Sequence, residues 1–234
     1  MNGNRKNFET GKNNRLTSDG EFRYTYDDEG NRITKISLTT GEKTVYKWDY
    51  RNRLVGVTIG SGRKKRQVQY QYDYLNRLTH RNNELFIHDG WQIVITLDAR
   101  VNLQDRYLWG ARQDELLCEN GHFVLCDHLG TIREVIDSVG KFVSHLKYNA
   151  FGKLLNVSGT ISRFRYTGKM TDDTTQLQWN INRWYDAQIG RWLSEDPIGF
   201  KGKDGNWARY VYNASVISLD KYGLANYMEG TTDP

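Results

Sequence analysis

The chain has 234 residues, a net charge of +5 and 13% aromatic residues. This length allows one large domain or two small ones, and the abundance of Tyr and Trp excludes a disordered chain. The mild positive charge permits an acidic partner without requiring one, which disfavours nucleic acid. The longest apolar run, 93–97, is too short to span a bilayer, and the first ten residues lack the apolar region of a secretory signal. We therefore expect a soluble chain without a membrane span.

Residues 1–20 are polar and rich in Asn, Lys and Gly. This composition predicts a poorly ordered lead-in that precedes the folded body.

A repeat with a period of 22 to 24 residues begins after Glu21. Each unit has the frame Tyr-x-aromatic-Asp, followed after about three residues by Asn-Arg and an apolar residue. The two aromatics of a unit are two residues apart, so both lie on the same face of a strand. The Asp opens a turn, and the Asn tolerates left-handed backbone geometry. The repeat residues are Tyr24, Tyr26, Asp27, Tyr46, Trp48, Asp49, Tyr70, Tyr72 and Asp73.

A period near 23 accommodates two strands and two turns, so each unit is predicted to be a hairpin that buries its aromatics by stacking on the next hairpin. The alternative is that these aromatics stack on sugars at a binding surface. The basic run 63–66 follows Gly-Ser-Gly and is predicted to be an exposed hairpin tip, with contact to phosphate or a localisation signal as the alternatives.

Alternating apolar runs continue from residue 84 to residue 148 and predict further strands. Asn120-Gly121 is a two-residue hairpin signal, and its register pairs Cys118 with Phe123. Alternation then places Cys118 and Cys126 on opposite faces, which fits neither a disulfide nor a shared metal site. The histidines show no metal-ligand spacing, so we expect no metal and no cofactor.

The repeats resemble the YD repeats of the Rhs/YD-repeat family, which also occur in teneurins and in the C component of insecticidal toxin complexes. Segments 127–141, 148–153 and 164–168 are similar to further boxes of this family, and the stretch 180–224 resembles its repeat-associated core. The resemblance implies an all-β fold of stacked antiparallel hairpins that form part of a β-shell, followed by an irregular core segment. We expect the repeat region over 21–160, the core segment over 161–224 and a short variable tail over 225–234.

Two Asp-x-x-Gly units stand out in the core segment, beginning at Asp196 and Asp220. Two neighbouring carboxylates share one proton, so the pair can serve as base and acid towards a water molecule. Gly199 and Gly223 allow a sharp turn beside each carboxylate. The alternative for either Asp is a plain turn residue, because Asp-Pro-x-Gly is itself a good turn sequence.

The resemblance implies an aspartyl-protease-like element that acts only in cis and cuts between Leu224 and Ala225. Arg191 and Asp186 are further candidates for supporting roles, because an arginine near an aspartate pair could anchor a carboxylate or polarise the scissile carbonyl. The alternative for them is a plain surface ion pair. This chain departs from the family pattern at Lys221, which stands where proline usually follows the second Asp. A cation there is expected to keep Asp220 ionised.

Two functions are therefore predicted. The first is a shell segment that encloses toxin cargo, contacts other shell segments or its own chain end, and cuts itself after Leu224. The second is a YD-repeat scaffold that binds carbohydrate or a partner protein and cuts nothing. Ten residues after Leu224 are too few for a folded toxin. The open edges expected of three repeats favour pairing with another chain.

Overall fold

A computed structural model describes residues 7–202, 204–224 and 227–228. The fold is all-β, as predicted, and no α-helix occurs among these residues. Within the same ranges, no helix is long and apolar enough to cross a membrane.

Sixteen antiparallel strands form one large sheet in which every strand pairs with its neighbours in chain order. The first half contains β1 (Glu9–Thr10), β2 (Leu16–Ser18), β3 (Phe22–Tyr26), β4 (Arg32–Ser37), β5 (Lys43–Trp48), β6 (Leu54–Ile59), β7 (Arg66–Tyr72) and β8 (Leu78–Arg81). The second half contains β9 (Glu84–Asp89), β10 (Gln92–Leu97), β11 (Leu103–Trp109), β12 (Leu116–Glu119), β13 (His122–Cys126), β14 (Ile132–Ile136), β15 (Phe142–Tyr148) and β16 (Leu154–Gly159). The predicted stack of hairpins is thus one continuous meander.

The turns of the meander are built on the repeated aspartates. Asp49 Oδ1 accepts the backbone N–H groups of Arg51 and Arg53, each at 2.9 Å, and Asn52 adopts left-handed geometry with φ +59°. The predicted turn chemistry is therefore confirmed. The same bond, from a side-chain Oδ1 to the backbone N–H four residues on, recurs at Asp27, Asp73, Asp98, Asp127, Asp137 and Asn149.

The repeat tyrosines line the buried face of this sheet. Tyr24, Tyr46 and Tyr70 are at most 6% exposed, and Trp48 and Tyr72 pack against the core that contains Tyr46 and Tyr70. Their rings are therefore core residues, and they are not available to stack on a sugar.

The Asn120-Gly121 hairpin has the predicted register. Cys118 pairs with Phe123, and Glu119 pairs with His122. Cys118 and Cys126 are both free thiols. The basic run 63–66 is exposed at the β6–β7 connection, as predicted.

After Gly159 the chain leaves the large sheet and covers its buried face. This core segment contains a small sheet of β17 (Gln178–Asn180), β18 (Arg183–Asp186) and β19 (Arg191–Trp192), and a pair of β20 (Ser218–Leu219) and β21 (Tyr227–Met228). Phe164 packs edge-on against the rings of Tyr107 and Trp109, and Trp184 lies 4.6 Å from the Tyr70 ring. The repeats and the core segment thus share one hydrophobic core.

The described part of the lead-in, residues 7–20, differs from the prediction of poor order. Leu16 in β2 is fully buried and packs with Tyr24 and Ile189. Arg15 donates from Nε to Glu195 Oε1 at 2.8 Å. Leu16 and the Arg15–Glu195 ion pair are two of the contacts that attach this polar segment to the core, and neither is visible in its composition.

Candidate active site

The two Asp-x-x-Gly units fold into turns of the same chemistry as the repeat turns. Asp196 Oδ1 accepts the N–H of Ile198 at 3.0 Å, and Asp220 Oδ1 accepts the N–H of Leu224 at 3.0 Å. Gly199 and Gly223 have φ values of +53° and +70°. Each turn therefore uses one carboxylate oxygen locally and leaves Oδ2 free for another partner.

Both Oδ2 atoms meet the guanidinium of Arg183. Its Nη2 atom lies 3.0 Å from Asp196 Oδ2 and 3.0 Å from Asp220 Oδ2. The Arg183 and Asp220 side chains are 3% and 2% exposed, and that of Asp196 is 11% exposed. The two aspartates are thus brought together in a nearly dry site around one cation.

The small sheet of the core segment fixes the position of Arg183. The residue lies at the start of β18, and its guanidinium carbon is 4.2 Å from the centre of the Trp192 ring in β19. Nη1 donates to the carbonyl of Trp207 at 3.1 Å, and Nε donates to the carbonyl of Gly223 at 2.5 Å. All three guanidinium nitrogens therefore have partners, which makes the site rigid.

Burial controls the electrostatics of the site. It raises the pKa of Asp196, and the negative charges of Asp220 and Asp204 raise it further, whereas Arg183 opposes the shift. Burial also lowers the pKa of Arg183. With both carboxylates ionised the trio carries a net charge of about −1, and one proton makes it neutral, which a nearly dry site favours.

Arg191 and Asp186 have other contacts than those expected of them. Arg191 Nη1 donates to the carbonyl of Asn14 at 3.0 Å, and its guanidinium lies over the Phe8 ring. Asp186 accepts from Arg32 at 2.8 Å in a fully buried ion pair. These contacts attach the core segment to the lead-in and to the first repeat, and they give no support to a role at the aspartate pair.

The charge of Lys221 also acts on Asp114, a residue of the wall. Burial raises the pKa of Asp114, and the positive charges of Lys169 and Lys221 oppose that shift. Lys169 Nζ also donates to the backbone carbonyl of Lys221 at 2.7 Å. The backbone of Lys221 is thus bound by Lys169, and the charge of Lys221 tends to lower the pKa of a carboxyl group on the wall.

Arg183 is the site residue that sequence reasoning missed. It begins the run Arg-Trp-Tyr-Asp at 183–186, whereas the sequence indicated the nearby Arg191 as the arginine beside the aspartate pair. Alternation along β18 places Arg183 and Trp184 on opposite faces of the strand. Only the tertiary packing shows which acidic residues Arg183 meets.

The predicted cut lies at the limit of the described residues. Leu224 is half-buried, and its backbone N–H donates to Asp220 Oδ1, whereas Ala225 lies outside the described residues. In the part of the chain that the structure describes, no group of three or more His, Cys, Asp or Glu side chains could hold a metal ion.

Comparison with known proteins identifies the architecture. The Teneurin YD-shell family matches residues 2–204. The tRNA nuclease WapA of Bacillus subtilis is 29% identical over 228 residues, which cover 90% of this chain and 9% of that protein. The double-stranded DNA deaminase toxin A of Burkholderia cenocepacia is 26% identical over 253 residues, which cover 91% of this chain and 17% of that protein.

The fold is also similar to that of solved toxin complexes. The Tc holotoxin pore of Photorhabdus luminescens aligns with a TM-score of 0.61 and 18% identity over 91% of this chain and 13% of the matched chain. A TcdB2–TccC3–Cdc42 crystal structure aligns with a TM-score of 0.59 and 19% identity over 87% of this chain and 13% of that chain. This chain thus spans less than a fifth of each of these relatives. The resemblance to Rhs/YD-repeat proteins is confirmed, and the chain belongs to the Teneurin YD-shell family.

Proposed function

We propose that this chain is a wall segment of a toxin-enclosing shell and that it cuts its own backbone after Leu224. The wall role is supported by the sixteen-stranded sheet and by the toxins and nucleases among the relatives. The observation that carries the cutting role is the meeting of Asp196 and Asp220 on the Nη2 atom of Arg183.

The proposed reaction is hydrolysis by a shared-proton pair. The ionised Asp220 takes a proton from water as the water oxygen adds to the Leu224 carbonyl carbon, and the protonated Asp196 donates its proton to the carbonyl oxygen. The gem-diol intermediate collapses when Asp220 passes its proton to the peptide nitrogen of Ala225, the ionised Asp196 takes a hydroxyl proton, and the C–N bond breaks. The products are a carboxyl group on Leu224 and an amine on Ala225.

The pKa direction of Asp196 and the contacts of Asp220 support a division of the two roles. Asp196 is the acid because burial and the neighbouring carboxylates raise its pKa. Asp220 is the base, since its Oδ1 already receives the Leu224 amide and its Oδ2 receives Arg183. Arg183 offsets one negative charge, so the singly protonated trio is neutral and compatible with burial. The substrate needs little binding energy because it is tethered to the site.

A non-catalytic scaffold is the second candidate. Arg183 bonds both carboxylates, and an arginine shared in this way also favours two ionised aspartates and a purely structural joint. In that case the site fastens the chain end to the wall and cleaves nothing.

Intact mass under denaturing conditions tests the proposal. Denaturation is needed because β21 pairs with β20, and this pairing could hold a released tail. We expect the wild-type chain to lack residues 225–234 and both Asp196→Asn and Asp220→Asn to retain them. Asp73→Asn, in a repeat turn of the same chemistry, is the matched control and should be cut. Four folded, full-length chains would instead establish the scaffold.

A further inference from the structure

The segment just before the proposed cut is held by its backbone carbonyls. Lys169 Nζ donates to the carbonyl of Lys221 at 2.7 Å, and Asn180 Nδ2 donates to that of Asp220 at 2.9 Å. Asn182 Nδ2 donates to the carbonyl of Tyr222 at 2.9 Å, and Arg183 Nε donates to the carbonyl of Gly223 at 2.5 Å. Four consecutive carbonyls, 220–223, thus each receive a different side-chain donor. We call Lys169, Asn180, Asn182 and Arg183 the carbonyl clamp.

Two donors of the carbonyl clamp are themselves oriented by residues of the wall. Asn76, in the turn of the third repeat, donates to Asn182 Oδ1 at 2.9 Å. Asp114, in the β11–β12 connection, pairs with Lys169 Nζ at 2.6 Å. The wall of the shell therefore positions two of the donors, and this second layer of contacts keeps their geometry fixed.

The fit of the backbone is equally close. A Cβ atom on Gly223 would lie 2.7 Å from the carbonyl oxygen of Asn180 and 3.0 Å from the backbone nitrogen of Arg183. Only glycine allows this approach, and its φ of +70° turns the chain so that the Leu224 amide reaches Asp220. The segment thus lies in a site built to its shape.

We infer that the carbonyl clamp is a positioning and retention site for the peptide 220–224. Resting on the proposed function, this inference assigns Lys169, Asn180 and Asn182 as positioning residues that present the Leu224 carbonyl to the aspartate pair. None of the clamp bonds involves an atom beyond Gly223, so all four remain after hydrolysis. The new chain end therefore stays bound, and only the tail is released.

Asn182→Asp tests the inference with little change in shape. The introduced carboxyl still accepts from Asn76, but when ionised it cannot donate to the Tyr222 carbonyl. We expect tail release at neutral pH to slow by roughly tenfold, since one oriented contact is lost beside the reacting bond. As the pH falls to about 4 the introduced carboxyl regains a proton to donate, and the ratio of variant to wild-type rates should rise. The exposed Asn83→Asp is the charge-matched control and should cut at the wild-type rate.

Hydrogen exchange of residues 220–224, measured by mass spectrometry in the Asp196→Asn background, separates the inference from the proposed function. We expect slow exchange in this uncut chain and exchange at least about tenfold faster when Asn182→Asp is added. Cutting at the wild-type rate with unchanged exchange in Asn182→Asp would overturn the inference and leave the proposed function intact. Full-length wild-type protein would overturn the proposed function. The exchange data would then test only whether the carbonyl clamp holds residues 220–224.

Discussion

Asp196 and Asp220, 24 residues apart in the chain, each place an Oδ2 atom 3.0 Å from the same nitrogen of Arg183. Each aspartate also closes its own Asp-x-x-Gly turn through Oδ1. The two turns of the core segment thus use the chemistry of the wall turns, with one difference. In the repeats the second oxygen meets the side chain four residues on, as Asp27 meets Asn31 and Asp49 meets Arg53, whereas here both second oxygens converge on one more distant residue.

Removal of the Arg183 guanidinium should destabilise the folded protein. Arg183→Met leaves two nearly buried carboxylates without their partner, so we expect the free energy of unfolding at neutral pH to fall by about 3–5 kcal/mol. Urea unfolding followed by Trp fluorescence measures it. Adding Asp220→Asn to Arg183→Met should recover part of the loss, because one unpaired charge is removed. Arg209→Met, which breaks the more exposed pair with Asp204, should cost about 1 kcal/mol or less. Equal losses in the two single variants would contradict a special role for Arg183.

Tail release should be faster at mildly acidic pH. Burial raises the pKa of Asp196, so its protonated form, which the proposed acid requires, is lost as the pH rises through that value. Full-length chain recovered in denaturant and refolded between about pH 4 and pH 8 gives the profile by intact mass. A rate that climbs steadily towards pH 8 would argue against Asp196 as the acid.

The same shift has a consequence for stability. Because the folded-state pKa of Asp196 is raised, its favourable contribution is present below the unfolded pKa and is lost as the pH rises through the folded value. The stability of Asp196→Asn relative to the wild type should therefore rise as the pH rises from about 4 to 7. Urea midpoints of the two proteins over this range provide the comparison.

The two turn glycines should differ in their tolerance of alanine. At Gly199 an added Cβ has its nearest contact 3.9 Å away, so Gly199→Ala bears only the left-handed strain of about 1–2 kcal/mol. At Gly223 the same atom would collide with the backbone of Asn180 and Arg183. We expect Gly223→Ala to lose tail release and to destabilise the protein clearly more than Gly199→Ala. Similar behaviour of the two variants, in unfolding and in intact mass, would show that the close approach at Gly223 is dispensable.

The wall turns should contribute to acid sensitivity. Burial tends to raise the pKa of Asp49, but bonds from the backbone of Arg53, its side chain and the backbone of Arg51 outweigh it, and the pKa is lowered. Its stabilising effect is thus present above the unfolded pKa and is lost as the pH falls through the folded value. We expect Asp49→Ala to cost about 1–3 kcal/mol near pH 7 and progressively less below about pH 3. The exposed Asp28→Ala, which is the control in the neighbouring turn, should change urea unfolding little.

The wall was largely predictable because its signals are local. Alternation of aromatics predicted strands at Tyr46 and Tyr70, and Asn120-Gly121 fixed the register of the β12–β13 hairpin. The strand β16 was not predicted, because the run 154–159 lacks clear alternation and is ordered by pairing with β15. The lead-in was expected to be poorly ordered, and the burial of Leu16 could not be inferred from its polar neighbours.

The sequence by itself determined the repeat period, the Asp-centred turns and the family, since each of these depends on residues within a few positions of one another. Only the tertiary structure decided which arginine meets the two aspartates and which side chains hold the carbonyls of 220–223. Arg183 and Asp220 are 37 residues apart, and Asn76 and Asn182 are 106 residues apart. Contacts over such separations are fixed by how the core segment packs on the wall, which local propensity does not specify.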